Sequence, residues 1–138
     1  MTKILIDSNI LVYAFEKDNP EKYFQTQRAI AELNLDFQVF ISVQNLAEFS
    51  CVCLEKLKKP LTGEEIKEKV KKISTSFQTV SYSEKTVSIA LELFDKFDIH
   101  FFDALLAATM RENGITQIMT ENEKDFKKIP WVKVINPF

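Results

Sequence analysis

Glycine, proline, histidine and cysteine are all scarce in this chain of 138 residues, which has two Gly, four Pro, one His and two Cys. So few Gly and Pro argue against linkers and disorder, while 46% apolar residues with twelve Phe favour a folded core. The only histidine, His100, rules out a pair of histidines for acid–base catalysis and argues against a zinc site. Cys51 and Cys53 lie two positions apart in a predicted helix and therefore point to different faces. We expect them to be core residues of a reduced, intracellular protein.

An excess of charge of one sign is also missing, because 18 Lys and Arg stand against 20 Asp and Glu. The formal net charge of −2 gives no global basic signature for nucleic acid binding, though it does not exclude a local basic patch. The N-terminal "MTKILID" lacks the pattern of a secretion signal. The one long apolar region, 37–54, contains Gln, Asn, Ser and Glu and does not predict a membrane span. We expect a cytoplasmic protein with a single domain over residues 1–138.

Short apolar strands alternate with helical segments along the chain. Helix signals include Ser8 or Asn9 as a cap, Asn19 before Pro20, a capping box from Thr62 to Glu65, Ser83 as a cap and Gly114 as a stop. Strands are predicted at 3–7, 37–42, 77–82, 116–120 and 132–135. This alternation predicts an α/β fold, a three-layer α/β/α sandwich around a parallel sheet of about five strands. Ligands of such sheets bind beyond the carboxyl ends of the strands.

Three apolar windows each carry a single carboxylate. Asp7 is the only charge in "ILIDSNILVYAF", at the end of the first strand. Glu48 is alone in the apolar helix "NLAEFSCVCL", and Asp103 is the only formal charge in "HFFDALLAATM". A buried carboxylate without a partner costs several kcal/mol. Each acid could instead have a separate structural reason, such as a helix N-terminus for Asp103 or a basic partner from elsewhere in the chain.

Convergence on one cation is the interpretation that explains all three acids together. Carboxylates brought to one point repel each other unless a cation neutralises them. Oxygen ligands without His or Cys select a hard ion, Mg²⁺ or Mn²⁺, which can activate water for phosphodiester hydrolysis. The stretch "MTENEKDF" follows the fourth predicted strand and offers two further candidates for the same edge of the sheet, Asn122 and Asp125. Thr120 and Glu123 could alternatively form a capping box there.

The ordered set of motifs resembles a PIN-domain ribonuclease, specifically a VapC-type toxin, over essentially the whole chain. The matching pieces are "ILIDSNILVYAF", "ISVQNLAEF", "FDIHFFDALLAATMRENGI" and "IMTENEKDF". The resemblance implies the sandwich fold and an endoribonuclease that depends on Mg²⁺ or Mn²⁺ and hydrolyses RNA with a metal-activated water. We expect it to cleave single-stranded RNA and to leave a 3′-hydroxyl and a 5′-phosphate.

The resemblance also assigns roles to individual residues. It places the metal-site acids at Asp7, Glu48 and Asp103, and the family's fourth catalytic position, often acidic, at Asn122. The other matching positions support the site: Ser8 within the acid cluster, Asn9 in the turn, Thr120, and Asp125 in the common "DF" ending. The partners that it implies are RNA, a cognate antitoxin and a second copy of the chain in a homodimer. Lys124, Lys127 and Lys128 are weak candidates for RNA contacts, and Lys56, Lys58 and Lys59 form another basic cluster.

Other functions fit the sequence less well. A DNA-cleaving or flap-type nuclease of the same fold generally carries more acids and additional helices. A binding module that has lost activity would not need the three acids. Phosphotransfer of the receiver or haloacid-dehalogenase type also uses an Asp at a strand end, but the second acid that such phosphatases need is replaced here by Asn9.

Overall fold

The computed structural model describes all residues from Met1 to Phe138 and contains one sheet of five parallel strands. The sheet has the order β3-β2-β1-β4-β5, and all four neighbouring pairs are parallel. The strands are β1 (Thr2–Ile6), β2 (Phe37–Ser42), β3 (Gln78–Val80), β4 (Gln117–Met119) and β5 (Lys133–Ile135). The helices are α1 (Ser8–Phe15), α2 (Pro20–Asp36), α3 (Val43–Glu55), α4 (Gly63–Ser76), α5 (Glu84–Phe97), α6 (Phe101–Glu112) and α7 (Glu123–Phe126).

Two hydrophobic cores lie on opposite faces of the sheet, and the alternation of side chains along β1 separates them. Leu5 faces a core of 15 residues that α5 and α6 dominate. Ile4 and Ile6 belong to a core of 12 residues built with α1, α2, α3 and α4. Successive residues of a strand point to opposite faces, so a fully apolar strand is buried between two helical layers. The predicted α/β/α sandwich is therefore confirmed.

Local capping chemistry explains where several helices begin. The Asn19 side chain accepts from the Lys22 amide at 3.2 Å ahead of Pro20, and Thr62 and Glu65 form the predicted capping box. The expected cap of α1 was wrong, because Asp7 and not Ser8 or Asn9 occupies the N-cap position. The strand ends one residue earlier than predicted, so the carboxylate itself sits at the junction of β1 and α1.

The two cysteines face different sides of α3, as their spacing predicts, but only Cys53 is buried. The expectation that both are core residues was wrong for Cys51, which lies on the exposed side of the helix. None of the seven helices combines the length and the apolar character that a membrane crossing requires.

The strand order changes direction at β1, which has β2 on one side and β4 on the other. The first connections build the sheet outward from β1 through β2 to β3, and the later part of the chain builds it the other way through β4 and β5. Connections that leave a parallel sheet in opposite directions open a crevice at the carboxyl ends of the central strands. Asp7 directly follows β1, and Thr120 directly follows β4, so both lie at this crevice.

Candidate active site

Asp7 is buried at the crevice, with 6% of its surface exposed, and three polar groups hold its carboxylate. Oδ1 accepts from the Ser8 backbone amide at 2.7 Å and from Asn45 Nδ2 at 3.4 Å. Oδ2 accepts from the Thr120 hydroxyl at 2.8 Å. Burial raises the pKa of Asp7, and the hydrogen bonds from Thr120 and Ser8 offset this only in part. The carboxylate is thus rigidly oriented, but its charge is not neutralised by any basic side chain.

Thr120 connects the ends of β1 and β4. Its hydroxyl is fully buried and, besides donating to Asp7, accepts from Asn9 Nδ2 at 3.2 Å and from the Asn122 backbone amide at 3.0 Å. The alternative capping box between Thr120 and Glu123 does not form, since the Glu123 carboxylate pairs with a lysine of the following turn. Of the predicted supporting residues, Thr120 therefore contacts the Asp7 carboxylate directly, and Asn9 contacts Thr120.

Ser8 and Asn45 are the other neighbours of Asp7. The Ser8 hydroxyl lies 3.5 Å from Asp7 Oδ1, at the limit of a hydrogen bond, so its backbone amide makes the stronger contact. Asn45 is fully buried, and its Oδ1 accepts from the Ser42 backbone amide in a capping box that begins α3. Because that box fixes the Asn45 amide, its Nδ2 is directed to Asp7.

Glu48 comes to the site from the helical layer of α3. Gln44, one turn earlier, donates from Nε2 to Glu48 Oε1 at 3.3 Å and to the Phe102 carbonyl at 2.8 Å. The single amide thus connects α3 to the first turn of α6. Burial and the negative charge of Asp7 raise the pKa of Glu48 to about 7, although the hydrogen bond from Gln44 acts to lower it.

Asp103 comes from the opposite layer, in the first turn of α6. Burial is the main reason that its pKa is raised to about 7, followed by a hydrogen bond with Asp125 and the negative charge of Asp7. The charge of Asp7 therefore acts on both other acids, one in each helical layer. The three isolated acids of the sequence face a shared electrostatic environment.

Asp125 and His100 form a pair beside Asp103. Asp125 Oδ2 accepts from the His100 backbone amide at 3.0 Å and lies 2.7 Å from His100 Nδ1. Burial opposes ionisation of Asp125, but hydrogen bonds from His100 and Asp103 outweigh it and lower its pKa to about 2. One ligand atom from each of His100, Asp103 and Asp125 lies within 4.8 Å of the other two. Asp125 thus lies beside Asp103, and it also has a structural role because it holds His100.

The remaining candidates lie at the surface. The Asn122 side chain is exposed and does not cap α7, although its backbone amide donates to Thr120. Lys127 pairs with Glu123 at 2.8 Å, and Lys128 Nζ donates to the Asp98 carbonyl at 2.8 Å. Lys124 is exposed. The second basic cluster, Lys56, Lys58 and Lys59, is exposed at the end of α3 and beyond it.

The donor chemistry of the three acids fits a hard divalent cation. Asp7, Glu48 and Asp103 offer oxygen ligands only, and burial is the main cause of the raised pKa of each acid. A cation among the carboxylates would lower these pKa values, because it favours the ionised form of every ligand. Mg²⁺ and Mn²⁺ are among the hard ions that prefer carboxylate and amide oxygens.

Sequence reasoning missed three residues of this region: Gln44, Asn45 and His100. Gln44 and Asn45 are adjacent polar residues inside an apolar window, directly after β2. Their place at the carboxyl end of a parallel strand was the available signal. His100 immediately precedes the Asp103 helix, but no local pattern links it to Asp125, which lies 25 residues further along the chain.

The comparisons with known proteins agree with this architecture. The family model described as PIN domain matches residues 4–132. A VapBC2 complex from Rickettsia felis, solved with a DNA fragment from its promoter, superposes with a TM-score of 0.73 at 24% identity and covers 98% of each chain. The DNA-bound VapBC of Salmonella typhimurium reaches a TM-score of 0.72 at 20% identity over 100% of both chains.

A third similar structure is VapC20 of Mycobacterium tuberculosis, described as a toxin that cleaves the sarcin-ricin loop. It has a TM-score of 0.66 at 18% identity and covers 83% of this chain and 86% of its own. At these identities the superpositions establish a shared fold. No curated protein sequence matches the chain.

Proposed function

The chain belongs to the PIN domain family, and on this basis we propose that it is a metal-dependent endoribonuclease, the toxin of a type II toxin–antitoxin pair. One observation carries the proposal: Asp7 directly follows β1, Glu48 and Asp103 come from opposite helical layers, and the charge of Asp7 raises the pKa of the other two. A fold needs no such arrangement for stability, since each uncompensated acid is destabilising.

In this proposal the three acids hold Mg²⁺ or Mn²⁺. When bound, the cation would neutralise the carboxylates, accept a phosphate oxygen of the substrate and lower the pKa of a water molecule. Thr120, Ser8 and Asn45 orient the Asp7 carboxylate through the hydrogen bonds described above. Gln44 orients Glu48, and Asn122 supplies an amide at the rim.

No side chain of the chain needs to act as a nucleophile. His100 is the only histidine, Cys51 lies on the outer side of α3, and Cys53 is buried in the core with its pKa raised to about 11 by burial. We propose that water attacks the phosphorus and that the bond to the 3′-oxygen breaks, so that the departing 3′-oxygen takes up a proton and the products are a 3′-hydroxyl and a 5′-phosphate.

The proposed substrate and partners follow from the similar structures. VapC20 is described as a toxin that cleaves the sarcin-ricin loop, and the Rickettsia felis and Salmonella typhimurium structures are VapBC complexes. We therefore propose RNA as the substrate, a cognate antitoxin and a homodimer as assemblies, and the cytoplasm as the location. Lys124, Lys127 and Lys128 lie on the exposed side of α7 and just after it, where they can contact RNA phosphates.

The experiment that tests the proposal is cleavage of a mixed RNA pool with Mn²⁺ or with EDTA, by the wild type and by Asp7→Asn. We expect cleavage by the wild type with Mn²⁺ only, and a loss of at least about a hundredfold in Asp7→Asn. Asp18→Asn, a neutralisation of an exposed acid before α2, is the matched control and should keep full activity. Equal cleavage by wild type and Asp7→Asn in EDTA would rule the mechanism out.

The same experiment separates the alternatives when single-stranded and flap DNA are added as substrates. Preferential cleavage of DNA would favour a DNA or flap-type nuclease of this fold. Binding without cleavage of either nucleic acid would favour an inactive binding module.

A further inference from the structure

A cleft of about 390 Å³ lies beside the acids, between the end of α5, the start of α6 and α7. Its volume falls within the range of about 300–1,000 Å³ that is usual for small-ligand sites. Two aromatic residues, one imidazole and two lysines contribute to its lining: Phe94, Phe101, His100, Lys124 and Lys128. Asp125 also lines the cleft and connects it to Asp103, since the ligand atoms of these two acids lie within 4.8 Å of each other.

His100 is held in one orientation at this cleft, although 87% of its side chain is exposed. Asp125, only 4% exposed, anchors both the His100 backbone amide and its Nδ1. The same Oδ2 oxygen accepts the His100 backbone N–H at 3.0 Å and lies 2.7 Å from Nδ1, so the carboxylate is the acceptor of both contacts and Nδ1 is the donor. Nε2 therefore remains as the free hydrogen-bonding atom of the imidazole, next to the proposed catalytic acids.

The 2′-hydroxyl of ribose is the group that best matches this free atom. A hydroxyl both donates and accepts, so it can pair with Nε2 in either protonation state of the ring, whereas a phosphate only accepts. DNA lacks this hydroxyl, and a contact to it is how a protein distinguishes RNA from DNA at a given position.

The other walls of the cleft match a nucleotide. Phe94 is 42% exposed, and Phe101 packs edge-on against Phe102 with ring centroids 5.4 Å apart, which restrains the Phe101 ring. Unpaired bases stack on such aromatic faces without regard to sequence. The lysines carry positive charge at the rim of the cleft, where Lys128 is tied to the Asp98 carbonyl.

We propose that this cleft is a subsite for one unpaired ribonucleotide next to the scissile phosphodiester, in which His100 contacts the 2′-hydroxyl and Phe94 contacts the base. The proposal rests on the proposed nuclease function. It adds a reason for single-stranded RNA as the substrate class, because a base within a duplex is stacked on its neighbours and has no free face for Phe94.

The first test uses an RNA oligonucleotide whose cleavage site has been mapped with the wild type and Mn²⁺. Each nucleotide flanking the cut is replaced in turn by its 2′-deoxy form. We expect about a fivefold to tenfold loss of kcat/KM at one flanking position, as for one hydrogen bond. In His100→Ala, the same deoxy substitution should have no effect.

The ratio of kcat/KM for the ribo substrate to kcat/KM for the 2′-deoxy substrate distinguishes a direct contact by His100 from a positioning role. Because His100 also holds Asp125, His100→Ala will lower cleavage of every substrate, but a positioning role alone leaves the ratio unchanged. The proposal is overturned when the wild type cleaves RNA and deoxy substitution is harmless at both flanks, or when His100→Ala keeps the wild-type ratio.

The second test measures RNA binding. It can therefore still test the subsite when no cleavage is found and the nuclease proposal fails. The probes are a fluorescent mixed-sequence oligoribonucleotide and its DNA counterpart, with fluorescence anisotropy of Asp7→Asn as the readout. We expect preference for RNA, and loss of that preference when His100→Ala is added. Equal affinity of Asp7→Asn for both probes would contradict the subsite.

A matched pair on α5 tests the stacking contact in the same assay. Phe94→Ala should weaken RNA binding by about fivefold or more, from the stacking energy of one base. Leu91→Ala removes a somewhat more exposed apolar residue one turn earlier, outside the cleft lining, and should leave RNA affinity unchanged. When both variants instead disrupt a dimer and leave RNA affinity unchanged, the face is a contact between copies and the subsite is refuted.

Discussion

Glu48→Gln should stabilise the protein when divalent metal is absent. The pKa of Glu48 is raised from 4.5 to about 7, first by burial and then by the charge of Asp7. At about 1.4 kcal/mol per pKa unit, this rise corresponds to roughly 3 kcal/mol of folding free energy. Because Glu48 is only half-buried, solvent screening reduces that value, and we expect a gain of about 1–3 kcal/mol. Gln retains the oxygen that accepts from Gln44.

The sign of the pH dependence follows from the raised pKa. At low pH, Glu48 is protonated in both the folded and the unfolded state, so its burial has no electrostatic effect on the free energy of unfolding. As pH rises from 4.5 to about 7, the unfolded state ionises first, so the folded wild type loses stability, and the loss is complete above about 7. The advantage of the Gln variant should therefore be large at about pH 8 and vanish toward about pH 4.

Urea unfolding in EDTA across this pH range measures the effect. Glu55→Gln, an exposed position two turns later on α3, is the control and should be neutral at every pH. Added Mg²⁺ should stabilise the wild type and stabilise Glu48→Gln less, because a ligand that binds only the folded state raises its stability by RT ln(1 + [L]/Kd), which increases as Kd falls. A Gln variant that is no more stable than wild type at about pH 8, or equally more stable at every pH, would refute the electrostatic reasoning.

Three further outcomes are expected. Thr120→Val leaves Asp7 with one hydrogen bond fewer and should cost about 1–3 kcal/mol in urea unfolding, with weaker Mn²⁺ binding by calorimetry. Gln44→Leu removes the amide between Glu48 and α6, so kcat should fall more than KM rises, and an unchanged kcat would contradict an orienting role. Phe49→Ala creates a cavity in the core beneath α3 and should lower the free energy of unfolding by about 3–5 kcal/mol, without altering the metal affinity of the folded protein.

Local patterns in the sequence were sufficient for most of the architecture. Short runs of four to six residues, all but the last followed by a helical segment, predict parallel strands between two helical layers. Asn19 before Pro20 and the Thr62–Glu65 box were correct because a cap depends only on residues within one turn. The α1 cap was wrong because the Asp7 carboxylate, which the pattern assigned to the strand, competes with Ser8 and Asn9 for the same position.

The candidate site was predictable only as a set of isolated acids. A single carboxylate in an apolar window stands out in the sequence, and this identifies Asp7, Glu48 and Asp103 as residues that need an explanation. The groups that orient them do not stand out, because Gln44 and Asn45 are ordinary uncharged residues whose importance depends on what they face.

The sequence by itself thus determined the alternation of strands and helices, the apolar windows and the three acids, because these depend on neighbours along the chain. Only the tertiary structure decided the strand order, which brings Thr120 to Asp7 across 113 residues and places His100 against Asp125. It also decided the raised pKa values of Glu48 and Asp103, since desolvation and repulsion depend on distances between elements that no local pattern encodes.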